Sequence, residues 1–128
     1  FVIVWLLFCI VVAVAAGQVV GWAAASAYRV RACYAGIAEY SIYVASSHHG
    51  QGIGNALMPA FLEALEQAGF WKVLSRLFPE NAASRALCAR HGFREVGIYE
   101  KHGKLDGVWR DVLIVERLLG GAGTGDLA

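Results

Sequence analysis

The sequence predicts an α/β domain layered around one sheet, and three observations predict it. A length of 128 residues supports one domain and leaves no room for two ordinary ones. An apolar share of 58% exceeds what a solvated coil carries, which excludes disorder for most of the chain. The periodicities run as strands, then strand–helix–strand–helix, then strands again, the order expected when helices cover a sheet.

The first 16 residues are all apolar, and no charged side chain precedes Arg29. A membrane helix wants about 18 or more apolar residues in a row, and this run stops at Gly17 and Gln18. A secretory leader needs a basic start, which is missing. Two buried strands over 1–14 and 19–25 fit better, because both are dense in Val, Phe, Ile or Trp. Gly17 supplies the turn between them. A membrane segment and a cloning or frame artefact remain as alternatives. The opening residue, Phe1, predicts a fragment or a processed product.

Residues 41–45 read as a strand with Ile42 and Val44 on one face and Tyr43 on the other. A glycine-rich turn follows, His49-Gly50-Gln51-Gly52-Ile53-Gly54. Over 55–68, Leu57, Phe61, Leu65 and Ala68 make one helical stripe, with Glu63 and Glu66 on the other side. Pro59 suits only an early helical position, so this helix is expected to begin at or just before Ala56. Gly69 ends it. Residues 71–78 form a strand stopped by Pro79, and 81–91 a helix capped by Asn81 and closed by Gly92. Strands at 94–100 and 108–115 are joined by a polar turn over 101–107. The domain is expected to span 1–119, with 120–128 a mobile tail.

A net charge of +1 gives no reason to expect a nucleic-acid partner. Three scattered cysteines fit neither a disulfide scaffold nor a zinc knuckle, and predict a reducing, cytoplasmic setting. His48 and His49 are adjacent, and neighbours seldom converge on one ion, so no metal is expected. Trp5, Trp22, Trp71 and Trp109 are expected to fill the core or a subunit contact, and a homodimer stays open.

The glycine turn carries the chemistry. Glycines at 50, 52 and 54 lie between a strand and a helix N-terminus, where positive φ and close backbone approach to a ligand are both available. Amides there suit a phosphate or pyrophosphate, which also meets the positive end of the helix dipole. A tight strand–helix connection without a ligand is the alternative. A Walker A loop is excluded because Asn55-Ala56 follows Gly54. A dinucleotide fingerprint is excluded because its last glycine position falls on Asn55 or Leu57.

His49-x-x-Gly52-x-Gly54 resembles the acetyl-CoA loop Arg/Gln-x-x-Gly-x-Gly/Ala of the GNAT acetyltransferases. The stretch from Asn81 through Ser84 and Leu87 to Gly92-Phe93 resembles the superfamily's Asn-x-x-Ala/Ser helix. With 38–44 and 109–112, the chain is similar to the phosphinothricin/methionine-sulfone type of amino-acid N-acetyltransferase over about residues 10 to 118. The resemblance implies a mixed, mostly antiparallel sheet flanked by helices. The family's first strand and first two helices have no counterpart before residue 10, so the apolar leader reads as a remnant or a replacement.

The resemblance also implies roles. Acetyl-CoA would be the cosubstrate, its pantetheine arm along Ile42, Tyr43 and Val44, its pyrophosphate wrapped by Gly50, Gln51, Gly52, Ile53, Gly54 and Asn55. Asn81 would bond the pantetheine, cap its own helix, or do both. Glu39 would be the general base for an attacking amine, and is otherwise a solvated strand-end charge. Arg31 and Tyr34 would hold the acidic group of a small amino-acid acceptor, Arg31 being otherwise a surface charge. Departures from the pattern are His49 at the loop's first position, Cys88 where many relatives carry tyrosine, and Asp106 where histidine is frequent. The implied function is N-acetyl transfer from acetyl-CoA. A catalytically impaired acetyl-CoA-binding fragment and a protein N-terminal or diamine acetyltransferase are the alternatives.

Overall fold

Charge-free, β-branched sequence at the start of the chain becomes strand, as expected, but as three strands where two were expected. The computed structural model describes residues 1–6, 9–29 and 31–120. Among these lie seven strands and two α-helices: β1 (Val2–Leu6), β2 (Ile10–Ala15), β3 (Gln18–Ala27), β4 (Ile37–Val44), α1 (Ile53–Gln67), β5 (Lys72–Leu77), α2 (Ala82–Arg90), β6 (Arg94–Leu105) and β7 (Val108–Leu118). The pairs β1–β2, β2–β3, β3–β4 and β6–β7 are all antiparallel, matching the expected mixed fold. The described residues divide into two compact units, those within 1–73 with 118–120 and those within 74–117, the boundary falling inside β5. Apart from Gly120, the expected tail lies outside the described residues.

In the first unit the strand order is β1-β2-β3-β4. The expected single strand over 1–14 is instead a pair, β1 facing β2 from Val2 opposite Val14 to Leu6 opposite Ile10. Only the inner strand is buried: Val11, Val12 and Ala13 are in the core, whereas Val2, Val4 and Trp5 of β1 are exposed. An outer strand has a neighbour on one side alone, so its side chains lack the cover that burial needs. The turn from β2 to β3 uses Ala16 and Gly17, both at positive φ (51° and 77°), the backbone of a two-residue hairpin whose twist matches its strands. Among the described residues no helix is long and apolar enough to cross a membrane.

Helix α1 packs across β2, β3 and β4. Its stripe of Ile53, Leu57, Met58, Phe61 and Leu65 is buried, each such side chain worth roughly 1.5–3 kcal/mol. Phe61 meets Tyr40 of β4 with ring centroids 5.9 Å apart. The helix starts at Ile53, earlier than expected, which leaves Pro59 inside it. Proline has no N–H to give the Asn55 carbonyl, yet the helix continues because its apolar face is anchored on both sides of that position. Ala68, expected on the buried stripe, is exposed as the C-cap. Gly69 at φ 90° ends the helix.

The second unit has the order β5-β7-β6. Helix α2 is capped as expected, the Asn81 side chain accepting from the Ser84 amide at 3.1 Å. The Arg85 fork spans both oxygens of Glu95 on β6 at 2.7 and 2.8 Å and also donates to the Pro79 carbonyl at 3.0 Å. Arg94 of β6 and Glu116 of β7 pair at 2.8 Å. The polar segment 101–107, expected as a turn, is mostly strand: β6 runs to Leu105 with an irregular register between Tyr99 and Gly103. Asp106 and Gly107, both at positive φ, make a two-residue turn. Asp-Gly is a favoured pair for that backbone. The four tryptophans do not fill the core, being between 36% and 57% exposed.

Candidate active site

The loop from β4 to α1 is where local sequence rules act most strongly. After Val44 the chain makes one 3-10 turn, Ser46–His48, and then reaches Gly50 at φ 77° and Gly52 at φ 76°. A Cβ built on either glycine meets nothing within 4 Å. The glycines are therefore demanded by backbone conformation and not by crowding, and the space beside them is open. The first helical bond runs from the Ala56 amide to the Gly52 carbonyl at 3.1 Å. Amides before it have no acceptor within the helix. Among the described residues, Gly50, Gln51, Gly52, Ile53 and Gly54 donate to no backbone carbonyl. No acidic side chain occupies the first turn of α1, so the positive end of its dipole is uncompensated.

Two contacts fix this loop. The His49 ring donates from Nε2 to the Val44 carbonyl at 2.8 Å, closing the loop on the strand it leaves. The Ala45 amide donates to the Val20 carbonyl at 2.7 Å. Beneath them, Gly21 of β3 lies so close to β4 and α1 that a Cβ would sit 2.9 Å from the Tyr43 carbonyl oxygen and 3.1 Å from Ile53 Cγ2. Ile53 itself is buried, so its side chain anchors the helix start while its amide faces out of the helix end.

Strand β4 carries the other expected residues. Ile42, Tyr43 and Val44 stand opposite Ala23, Trp22 and Gly21. Tyr43 and Trp22 lie with ring centroids 6.1 Å apart. Glu39 stands opposite Ser26 and shares its face of the strand with Ser41 and Tyr43. Its side chain is 24% exposed, with Oε1 4.0 Å from Arg29 Nη1.

The expected acceptor residues separate. Tyr34 ends the 3-10 turn Ala32–Tyr34 and packs edge-on against Tyr28, centroids 5.9 Å apart at 84°. It lines a cavity of about 370 Å³, together with Arg29, Tyr28 and Cys9. Arg31 is exposed before the same turn and is not in that lining. Burial pushes the Cys9 thiol up, which keeps it neutral. Arg29 was not singled out by sequence reasoning. The usable signal was its place: the first charge after 28 neutral residues, two positions beyond the strand that pairs with the one bearing Glu39.

Asn81 belongs to the second unit, where its Oδ1 serves as the helix cap. Cys88 is 2% exposed, so its thiol is part of the packing of α2. Among the described residues no group of three or more His, Cys, Asp or Glu side chains could hold a metal ion.

Residues 4–93 match the model of the acetyltransferase (GNAT) family. The chain is similar to a phosphinothricin N-acetyltransferase of Streptomyces coelicolor, 36% identical over 102 residues that make up 80% of this chain and 60% of that protein. Among solved structures, it is similar to a ribosomal-protein-alanine N-acetyltransferase from Brucella melitensis (TM-score 0.83, 34% identity, covering 86% of this chain and 68% of the other). It is also similar to a GNAT phosphinothricin acetyltransferase from Sinorhizobium meliloti, solved with acetyl-CoA (TM-score 0.83, 33% identity, covering 90% and 63%). The chain thus spans 52–63% of the length of the curated relatives it matches.

Proposed function

Because the chain belongs to the acetyltransferase (GNAT) family, we propose that it transfers the acetyl group of acetyl-CoA to the amine of a small amino acid or analogue, with residues 1–119 acting as one domain. The observation that carries this reading is the open loop at the start of α1, with its two left-handed glycines and its undonated amides. Acetyl-CoA would supply an activated thioester and a pyrophosphate of the charge this loop suits.

The chain's own residues divide the work. Amides of Gly50 to Gly54, with Asn55, wrap the pyrophosphate, and α1 adds its dipole. Backbone groups of Ile42, Tyr43 and Val44 hold the pantetheine arm, and one of their amides polarises the thioester carbonyl as an oxyanion donor. Asn81 keeps its Oδ1 in the helix cap and has Nδ2 donors for the pantetheine. Glu39 accepts the proton that an attacking ammonium must shed, directly or through water. On the acceptor side stands the turn with Arg31 and Tyr34. A cytoplasmic setting accords with three free cysteines.

A second reading, acetylation of a protein N-terminus, is favoured by the similarity to the Brucella structure. Against it stands the cavity volume of about 370 Å³, near the low end of the roughly 300–1,000 Å³ of small-molecule pockets. A free-thiol release assay with acetyl-CoA decides between them. Turnover with free amino acids, phosphinothricin or methionine sulfone supports the proposal, and turnover confined to peptides with N-terminal alanine supports the rival. Gly52→Val forces a β-branched residue into left-handed backbone and is expected to weaken acetyl-CoA binding roughly 10-fold or more by isothermal titration. Wild-type affinity in that variant would remove the loop from the binding site.

A further inference from the structure

Resting on that reading, we infer that Trp71 is a positioning residue for the acceptor: its indole lies on Gly36 and fixes the base of the turn that carries Arg31 and Tyr34.

Little within the turn holds it. Residues 31–35 are all exposed, and the 3-10 segment Ala32–Tyr34 has no side-chain cap at Arg31. Its backbone bonds are local, from the Tyr34 amide to the Arg31 carbonyl at 3.0 Å and from the Ala35 amide to the Ala32 carbonyl at 3.1 Å. An exposed segment with few contacts opens readily unless something outside it ties it down. One tie is the edge-on packing of Tyr34 against Tyr28. The other is at Gly36, where the chain leaves the turn for β4.

Gly36 is buried, although it has no side chain and its neighbour Ala35 is exposed. Its cover is Trp71. A Cβ built on Gly36 would overlap the indole of Trp71, whose Cε3, Cδ2 and Cζ3 are its three nearest atoms. The ring therefore packs against bare backbone, and a larger residue at position 36 displaces it. Gly50 and Gly52 are demanded by left-handed backbone, whereas Gly36 is outside that region and is demanded by this close approach.

Trp71 is anchored for such a role. Its amide donates to the Gly36 carbonyl at 2.8 Å, joined by the Lys72 amide at 3.2 Å. Its own carbonyl accepts from the amide of Leu119 at 2.9 Å, and Leu119 is buried. The main chain at 71 is thus bonded on both sides, and the ring it carries is held against Gly36. At 40% exposed the indole is not a core residue; what it covers is the exit of the turn. Gly36 lies two residues after Tyr34 and three before Glu39, so fixing it sets the turn relative to the strand that bears the proposed base. A loosened turn must be ordered when the acceptor binds, which weakens affinity without touching the chemical step.

The test is paired kinetics and amide exchange on the intact chain, with phosphinothricin as acceptor. Trp71→Ala and Gly36→Ala are each expected to raise the KM for phosphinothricin roughly 10-fold, with kcat held within about 3-fold. Acetyl-CoA affinity by isothermal titration is expected to stay unchanged in both. Mere loss of folded enzyme would lower kcat and leave KM alone. Trp71→Phe keeps an aromatic ring on Gly36 and is expected to hold KM near wild type. With Trp71→Ala already in place, adding Gly36→Ala meets no indole and is expected to raise KM no further. Amides of residues 32–36 are expected to exchange roughly 10-fold faster in both single variants. A wild-type KM or unchanged exchange in Trp71→Ala overturns the inference, as does a KM in Trp71→Phe as high as in Trp71→Ala. If wild type acetylates no amine, the transferase reading fails, and the exchange result alone decides whether Trp71 holds the turn.

Discussion

Glu39 and Arg29 show what could and could not be read one residue at a time. Glu39 was legible because it falls beside the strand motif that ends at Val44, and the structure puts it on that strand with its carboxylate partly covered. Replacing it by glutamine keeps the shape and removes the proton acceptor. Glu39→Gln is expected to lower kcat roughly 100- to 10,000-fold while leaving acetyl-CoA affinity unchanged, which paired turnover and titration measurements check. Unaltered turnover would dismiss Glu39 as the base. Asn81 was legible for a local reason, since a cap needs only a short side-chain acceptor three residues before the amide it serves. Arg29 was not legible, because its relation to Glu39 depends on β3 and β4 pairing so that Ser26 meets Glu39. No spacing along the chain encodes that register.

At the scale of elements, helices were read better than hairpins. Both helices are punctuated by glycine or asparagine: Gly52 and Asn81 are the N-caps, and Gly69 and Gly92 follow directly on the C-caps. The apolar run over 1–16 has no glycine, proline or asparagine to mark where β1 ends and β2 begins, and Cys9, just before β2, adopts a φ of 58°. A strand boundary without turn chemistry leaves no mark for sequence reasoning to find. The opposite error arose at 101–107, where polar residues suggested a loop but belong to an exposed strand whose side chains need no apolar pattern. The β2–β3 turn shows the cost of such choices. Ala16 is held at φ 51°, a conformation its Cβ disfavours. Ala16→Asn is expected to stabilise the chain by about 0.5–1 kcal/mol, read as a rise in the denaturant midpoint at constant slope.

For the molecule as a whole, the seven strands and two helices follow the predicted order, with one extra strand at the start. What composition could not say is which apolar segments end up covered. Burial depends on having neighbours on both sides, and the same residue types are buried in β2 and exposed in β1. Position in the sheet decided the outcome, with hydrophobicity held nearly constant.

That outer strand has a consequence for how the protein behaves in solution. Within residues 1–120 it pairs with β2 alone, and it carries no lysine, proline or other gatekeeper to repel an incoming strand. Concentrated samples are expected to self-associate into β-rich oligomers. Val4→Lys, at an exposed position of that rim, is expected to suppress the light scattering without altering acetyl-CoA binding. The feature that leaves the core intact thus sets a ceiling on solubility.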